Sequence, residues 1–167
     1  MRRTHAAVGS AVFFVLAPGT MAGLIPWLIT RWESDSPPAL QVIGLIVILL
    51  GLVPLVAAFA AFTRAGGTPS PTAPTEHLVV SGFNRYVRNP LYIGVLLTIL
   101  GQALLFGDLA LLWYGVAFWL VTATFVRFYE EPTLKEQYGA EYDTYRHAVR
   151  AWLPRLHAWP DSGGGGT

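Results

Sequence analysis

The amino-acid sequence predicts an all-α integral membrane protein, with about four transmembrane helices followed by a cytoplasmic amphipathic C-terminal helix. Charged residues make up only 13% of the chain and hydrophobic residues 53%, whereas soluble domains average about 25% charged residues. The apolar residues also fall in long uncharged runs, at 6–29, 39–62, 91–106 and 109–126. Such runs are typical of helices that cross a bilayer.

The four runs differ in length. Each of the first two reaches ~36 Å as a helix, which exceeds the ~30 Å hydrocarbon core of a bilayer. The third and fourth are shorter, and only Gly107 and Asp108 separate them. They form either two short spans joined by a tight turn or a hairpin that barely reaches the far side. Arg2 and Arg3 precede the first run as in a signal peptide, but the run exceeds the ~7–15 residues of a signal core, which favours an uncleaved span.

The basic residues predict a multi-pass protein of the cell membrane with both termini in the cytoplasm. In this orientation only Arg31, among the 11 Lys and Arg residues, lies outside. Two cytoplasmic segments follow, residues 63–90 and the part from Arg127 onward. We expect a pair of N-terminal transmembrane helices at 1–62, a functional core at 63–160 and a disordered tail at 161–167.

The composition argues against several functional classes. The net charge of +1 gives no basic footprint for a nucleic acid. The chain has no cysteine, so it has no disulfides, thiolate nucleophiles or cysteine metal ligands. Its four histidines show no metal-ligand spacing, and we expect no metal site. No glycine-rich loop of the dinucleotide-binding type is present.

The first cytoplasmic segment ends in a possible anion site. Pro90 suits the first turn of the third helix, where its missing N–H costs nothing. Arg88 and Asn89 then lie at the membrane surface, just before a helix N-terminus, which is a position that favours an anion. The alternative is that Arg85 and Arg88 are only the basic flank of a membrane span.

The second cytoplasmic segment begins with paired carboxylates. Arg127 and Glu131 are four residues apart and can share a helix face. Pro132 disfavours helix at Glu131, so a break or a new helix start is expected there. Glu130 and Glu131 are adjacent at a membrane boundary, and they are either functional carboxylates or a helix-terminal charge pair.

An aromatic stripe follows these carboxylates. Its members recur every three or four residues, which predicts one amphipathic helix. The helix either lies on the bilayer or on other helices, or it covers a cofactor as a lid. The stripe consists of Leu134, Tyr138, Tyr142, Tyr145, Val149 and Trp152.

Residues 67–94 and 130–155 together resemble the isoprenylcysteine carboxyl methyltransferase family, which is related to the membrane phospholipid methyltransferases. The shared features are an Arg-Asn-Pro-x-Tyr motif at 88–92, an apolar hairpin, and a tyrosine-rich segment that begins with Glu-Glu. The resemblance covers residues 64–155. Two positions depart from it, because many relatives have histidine at the position of Asn89 and tyrosine at that of Asn84.

The resemblance implies an S-adenosylmethionine-dependent methyltransferase without a Rossmann sheet, whose cofactor lies between the Arg-Asn-Pro region and the C-terminal helix. The implied cofactor-binding residues are Arg88, Asn89, Pro90, Tyr92, Tyr138 and Tyr142. The implied catalytic residues are Arg127, Glu130 and Glu131, with the choice between the two glutamates left open.

These side chains suit that chemistry. A guanidinium such as that of Arg88 can hold the cofactor carboxylate, while carboxylates can accept from its ammonium group and aromatic faces can contact its sulfonium. The acceptor is a lipophilic or small molecule that enters from the bilayer. Carboxyl O-methylation is favoured, with Arg127 orienting a carboxylate. The alternatives are phospholipid N- or thiol S-methylation, with Glu131 as a base, and a non-catalytic membrane protein of the same fold.

Overall fold

A computed structural model describes residues 16–64, 78 and 80–160. Those residues form helices and connecting turns and contain no strand, which confirms the all-α fold class. The expectations for the N-terminal arginines and the tail lie outside the described residues. The helices are α1 (Leu16–Thr30), α2 (Pro38–Arg64), α3 (Pro90–Phe106), α4 (Leu109–Phe125), α5 (Glu131–Tyr138) and α6 (Ala140–Ala148).

Proline and glycine mark several of the helix ends. Pro38 and Pro90 occupy the first positions of α2 and α3, where no N–H is needed. Gly107, with a φ of +70°, ends α3 in a conformation that glycine adopts at little cost. The Asp108 carboxylate then accepts from the N–H of Ala110 at 2.7 Å, at the start of α4. The two-residue turn expected between the third and fourth apolar runs is therefore present.

The chain divides into two compact units, one comprising Met1–Pro69 with Leu91–Leu120 and the other Ser70–Pro90 with Val121–Thr167. In the first unit, glycines bring α2 and α3 into backbone contact. A Cβ atom at Gly44 would lie 2.6 Å from the carbonyl oxygen of Gly101, and one at Gly51 would lie 2.7 Å from that of Gly94. Close approach through small residues is typical of helix pairs within membranes.

Polar side chains within the first unit bond to backbone carbonyls. Ser34 and Ser36 donate to the carbonyls of Leu105 (2.8 Å) and Leu104 (2.7 Å), which satisfy acceptors at the C-terminal end of α3. The Gln102 amide, on the apolar helix α3, donates to the carbonyl of Ala22 at 2.7 Å. A polar group in apolar surroundings is thereby satisfied.

Two helices are long and apolar enough to cross a membrane, Pro38–Ala60 and Leu109–Tyr138, with mean hydropathies of 3.0 and 1.9. Two further apolar helices, α1 and α3, are shorter. The expected number of about four spans stays a prediction, as do the division at residue 62 and the position of both termini. The helix that begins with the fourth apolar run extends beyond the end of that run. It continues from α4 through a π-helical turn (Val126–Glu130) into α5.

The core of the second unit is built from the aromatic stripe. Val80, Tyr142, Tyr145 and Val149 are buried together. Leu78, Leu134, Tyr138, Ala148 and Trp159 pack against them. The prediction of one continuous amphipathic helix is nevertheless wrong, because Gly139, with a φ of +54°, separates α5 from α6 and Val149 is extended.

Candidate functional site

The Arg-Asn-Pro motif lies in the second unit, where the chain after the C-terminal helices holds it in place. A short 3₁₀ turn (Gly82–Arg85) precedes the motif. The Arg88 N–H donates to the carbonyl of Arg150 at 2.9 Å, and the Asn89 amide donates to the carbonyl of Ala151 at 3.1 Å. Asn89 is buried, and the bond to Ala151 satisfies the donor of its side-chain amide.

Glu131 is the centre of an arginine cluster. Its Oε1 lies 2.7 Å from Nη1 of Arg88, and its Oε2 lies 3.4 Å from both Nη1 of Arg127 and Nη2 of Arg146. The predicted pairing of Arg127 with Glu131 across one helical turn is confirmed. The Glu131 side chain is 7% exposed and that of Arg88 11%, whereas that of Arg127 is 62% exposed. The Arg88–Glu131 pair is therefore the desolvated one, and the Arg127 contact is largely screened by water.

Arg88 is only partly satisfied by its neighbours. Its Nη1 donates to Tyr142 Oη at 3.0 Å as well as to Glu131. Its Nε is buried and has no acceptor within the part of the chain that the structure describes. A buried guanidinium N–H without a partner is rare enough in proteins to indicate a missing group, such as a ligand carboxylate or a water molecule.

Two buried tyrosines stand beside this cluster. Burial raises the pKa of Tyr142, and the neighbouring Arg88 partly offsets the effect. Burial raises the pKa of Tyr145 much further, and its hydroxyl donates to the carbonyl of Asn84 at 2.7 Å. Both phenols are therefore neutral hydrogen-bonding groups at physiological pH.

A small cavity opens beside the Arg88–Glu131 pair. Its volume is about 30 Å³, far below the 300–1,000 Å³ typical of sites that enclose a whole drug-sized ligand. It combines cationic, anionic and aromatic groups, and the described residues contain no cluster of three His, Asp or Glu side chains able to hold a metal ion. The lining residues are Arg88, Asn89, Val126, Glu130, Glu131, Leu134, Tyr142 and Tyr145.

The structure brings together most of the residues that the sequence singled out. Arg88, Asn89, Glu130, Glu131 and Tyr142 line the cavity, and their functional roles stay predictions. The others lie elsewhere: Arg127 contacts Glu131 from a more exposed position, Tyr138 packs against the aromatic core, Pro90 begins α3, and Tyr92 lies on α3 within the first unit.

Sequence reasoning missed Arg146, which supplies the third guanidinium of the cluster. Arg146 follows Tyr142 by four residues, and this spacing places the two on one face of a helix. The signal was therefore present, but it was hidden among the other charged residues of α6. Tyr145, Leu134 and Val126 were also not expected at the cavity.

Comparison with known proteins gave one match. A family model described as PEMT, phospholipid methyltransferase, matches residues 40–141, which is more than half of the chain. The matched range includes Arg88, Asn89 and both glutamates, and it ends one residue before Tyr142. Searches of curated proteins and of solved structures returned no match.

Proposed function

Because the chain belongs to the phospholipid methyltransferase family, we propose that it is an integral membrane methyltransferase that uses S-adenosylmethionine. Its acceptor is a lipophilic molecule that enters from the bilayer. The observation that carries the proposal is the buried Arg88, which lines the cavity, is held by Glu131 and Tyr142, and retains an unpartnered Nε.

A membrane location is supported by the surface of α2. Only 11% of its most apolar stretch is buried within the protein, so leucine, isoleucine and valine side chains cover its outside. A soluble protein rarely exposes an apolar surface of that length. We propose about four spans, with both termini in the cytoplasm because all lysines and arginines except Arg31 then lie inside.

The cavity residues fit the amino-acid end of the cofactor. The Arg88 guanidinium is a donor for the cofactor carboxylate, and Glu130, which lines the same cavity, is an acceptor for its ammonium group. Tyr142 lines the same cavity as Arg88 and Glu130, and its ring offers an aromatic face to the cofactor. When bound, S-adenosylmethionine supplies an activated methyl group on a sulfonium. The cavity is much smaller than that molecule, and we therefore assign to these residues only the contacts with its carboxylate and ammonium groups.

Glu131 is better suited to positioning than to proton transfer. Both of its oxygens are engaged by guanidinium groups, so it fixes Arg88, Arg127 and Arg146 around one point. Glu130 is the other carboxylate that lines the cavity, and we assign to it the contact with the ammonium group of the cofactor. Arg127, with a side chain 62% exposed, is placed to orient an anionic group of the acceptor at the membrane boundary.

Carboxyl O-methylation remains the favoured reaction. A carboxylate acceptor is ionised at neutral pH and needs no base, and the arginines exceed the carboxylates in the cluster. The family match favours a second candidate, N-methylation of a phospholipid amine. That reaction requires an amine to lose a proton, for which Glu130 is the candidate acceptor.

Titration calorimetry of the detergent-purified protein with S-adenosylhomocysteine tests the cofactor site without knowledge of the acceptor. Loss of the Arg88 fork in Arg88→Lys should weaken binding by at least about tenfold, since charged hydrogen bonds contribute about 1.5–3 kcal/mol. Lys135→Ala is the matched control, because Lys135 pairs with Asp143 and does not line the cavity. Unchanged affinity in a folded Arg88→Lys protein would remove Arg88 from the site, and no binding by the wild type would favour a non-catalytic protein.

The acceptor is then decided by transfer of a labelled methyl group in vesicles. Label in a base-labile ester of a prenylcysteine substrate would support O-methylation. Label in phosphatidylethanolamine would support the second candidate instead.

A further inference from the structure

The segment after α6 forms a loop that the proposed reaction does not use. This C-terminal loop, residues 150–159, has no regular secondary structure, yet backbone hydrogen bonds hold it at both ends. The carbonyl of Arg150 accepts from the Arg88 N–H at 2.9 Å. At the other end, the Trp159 N–H donates to the carbonyl of Arg85 at 2.8 Å, and Arg85 Nε donates to the carbonyl of Trp159 at 2.6 Å.

A third bond holds the middle of the C-terminal loop, from the Arg155 N–H to the carbonyl of Tyr86 at 2.9 Å, and an exposed leucine lies on each side of Arg155. Leu156 is 94% exposed and Leu153 is 61% exposed. Two leucines held exposed on a loop that is bonded at three points are unfavourable in water. An apolar phase that covered both would stabilise them.

The charged residues around the leucines indicate which kind of surface the loop would bind. Arg150 and His157 are exposed, whereas the Arg155 guanidinium lies 5.8 Å from the centre of the Trp159 ring and its Nη1 is buried. No aspartate or glutamate occurs between residues 144 and 160. Basic residues mixed with leucine and tryptophan, without acidic ones, are typical of segments that bind an anionic bilayer surface.

The attachment of the C-terminal loop places it near such a surface. Its partners Arg85 and Arg88 belong to the short stretch that leads directly into the apolar helix α3 at Pro90. If α3 enters the bilayer there, as the proposed function holds, then a loop bonded to residues 85–88 lies at the same boundary between lipid and water.

We propose that the C-terminal loop docks on the anionic leaflet of the bilayer, with Leu153 and Leu156 inserted at the acyl boundary and Arg150 facing lipid phosphates. This inference rests on the membrane location in the proposed function. It adds a lipid-binding surface that is separate from the cavity. The loop that carries this surface is bonded to the backbone N–H of Arg88 through the carbonyl of Arg150.

The absence of cysteine from the chain allows single labels to test the inference. An environment-sensitive fluorophore is attached at Leu156→Cys in the full-length protein, reconstituted in phosphatidylcholine vesicles with and without phosphatidylserine. Gln137→Cys, at an exposed position on α5, is the matched control, and Leu50→Cys, on the apolar surface of α2, reports the membrane location itself. Quenching by brominated acyl chains and by aqueous iodide is then compared.

We expect lipid quenching at position 156 and iodide quenching at position 137. Phosphatidylserine should increase the ratio of lipid to iodide quenching at 156, and Arg150→Gln should reduce that ratio about fivefold, the effect of about 1 kcal/mol per arginine at an anionic surface. Iodide quenching at 156 with lipid quenching at 50 would overturn the docking while leaving the proposed function intact. Iodide quenching at both would overturn the membrane location as well. Protection at 156 from both quenchers would indicate a protein partner and contradict the proposal.

Discussion

Replacement of Glu131 by glutamine removes the charge that three arginines share while it preserves the size of the side chain. Arg88 is the partner that suffers most, because it is 11% exposed and lies 2.7 Å from Glu131, whereas Arg127 is 62% exposed and 3.4 Å away. Glu131→Gln leaves the Arg88 guanidinium buried with neutral acceptors only. We therefore expect a large loss of stability from this one substitution.

The size of the loss follows from burial. Removing one partner of a buried ion pair costs about 3–5 kcal/mol, and the lower value applies because the glutamine oxygen still accepts a hydrogen bond. For a chain of this length, each kcal/mol lowers Tm by about 2–4 °C, so Glu131→Gln should lower Tm by ~6–12 °C. Arg127→Gln removes only an exposed contact of about 0.2–1 kcal/mol and should lower Tm by at most ~4 °C.

Circular dichroism during thermal unfolding in detergent measures both variants. The double variant Arg88→Met with Glu131→Gln removes the buried guanidinium as well, and it should be more stable than Glu131→Gln alone. A Tm for Glu131→Gln equal to that of Arg127→Gln would show that the Arg88–Glu131 pair is not desolvated, and the account of the cluster would be wrong.

Three further predictions concern other parts of the chain. Gly44→Val should destabilise the first unit by about 1–3 kcal/mol because its side chain meets backbone atoms of α3, whereas Gly19→Ala, with open space around it, should be neutral or stabilising in the same unfolding assay. Burial raises the folded-state pKa values of Tyr142 and Tyr145 above the ordinary 10.0, so their contribution to stability should be constant below pH ~10 and fall above it, as the unfolded chain loses phenolic protons first. Tyr145→Phe should make that fall shallower, and an unchanged slope would contradict the burial. Arg127→Ala should lower turnover or acceptor affinity and change the S-adenosylhomocysteine affinity by no more than a few-fold, as steady-state rates and calorimetry will show; normal turnover would exclude Arg127 from the site.

Sequence patterns predicted the helices of this protein better than their ends. The uncharged runs identified α2 and α4 because a long apolar segment has few alternatives to a helix. The aromatic stripe placed Tyr142 and Tyr145 on one helix face, and the structure buries both in one core. The stripe did not predict the interruption at Gly139, because periodicity reports which residues share a face and is insensitive to a single positive φ between two short helices.

Five of the nine residues singled out in the sequence line the cavity, but the contacts between them were mostly not predicted. The Arg127–Glu131 contact follows from helical spacing, and the structure confirms it. The pairing of Arg88 with Glu131 joins residues 43 positions apart, as their numbers show, and no local rule predicts it. The same is true of the bond between the Arg88 N–H and the carbonyl of Arg150. These contacts depend on how the second unit folds, which local patterns in one sequence do not reveal.

The π-helical turn at Val126–Glu130 explains how a helix that leaves the apolar segment can carry both carboxylates of the site. The N–H of Glu131 bonds to the carbonyl of Val126, one residue further back than in an α-helix, so one extra residue is accommodated in this turn. Glu130 and Glu131 both line the cavity, and Arg127 still reaches Glu131 at 3.4 Å. Pro132 follows the turn without breaking the helix, because the wider turn has already altered the backbone bonding that a proline would otherwise disrupt. A local departure from α-helical geometry is thus placed where the apolar helix ends and the charged cluster begins, and π turns of this kind are frequent at functional sites.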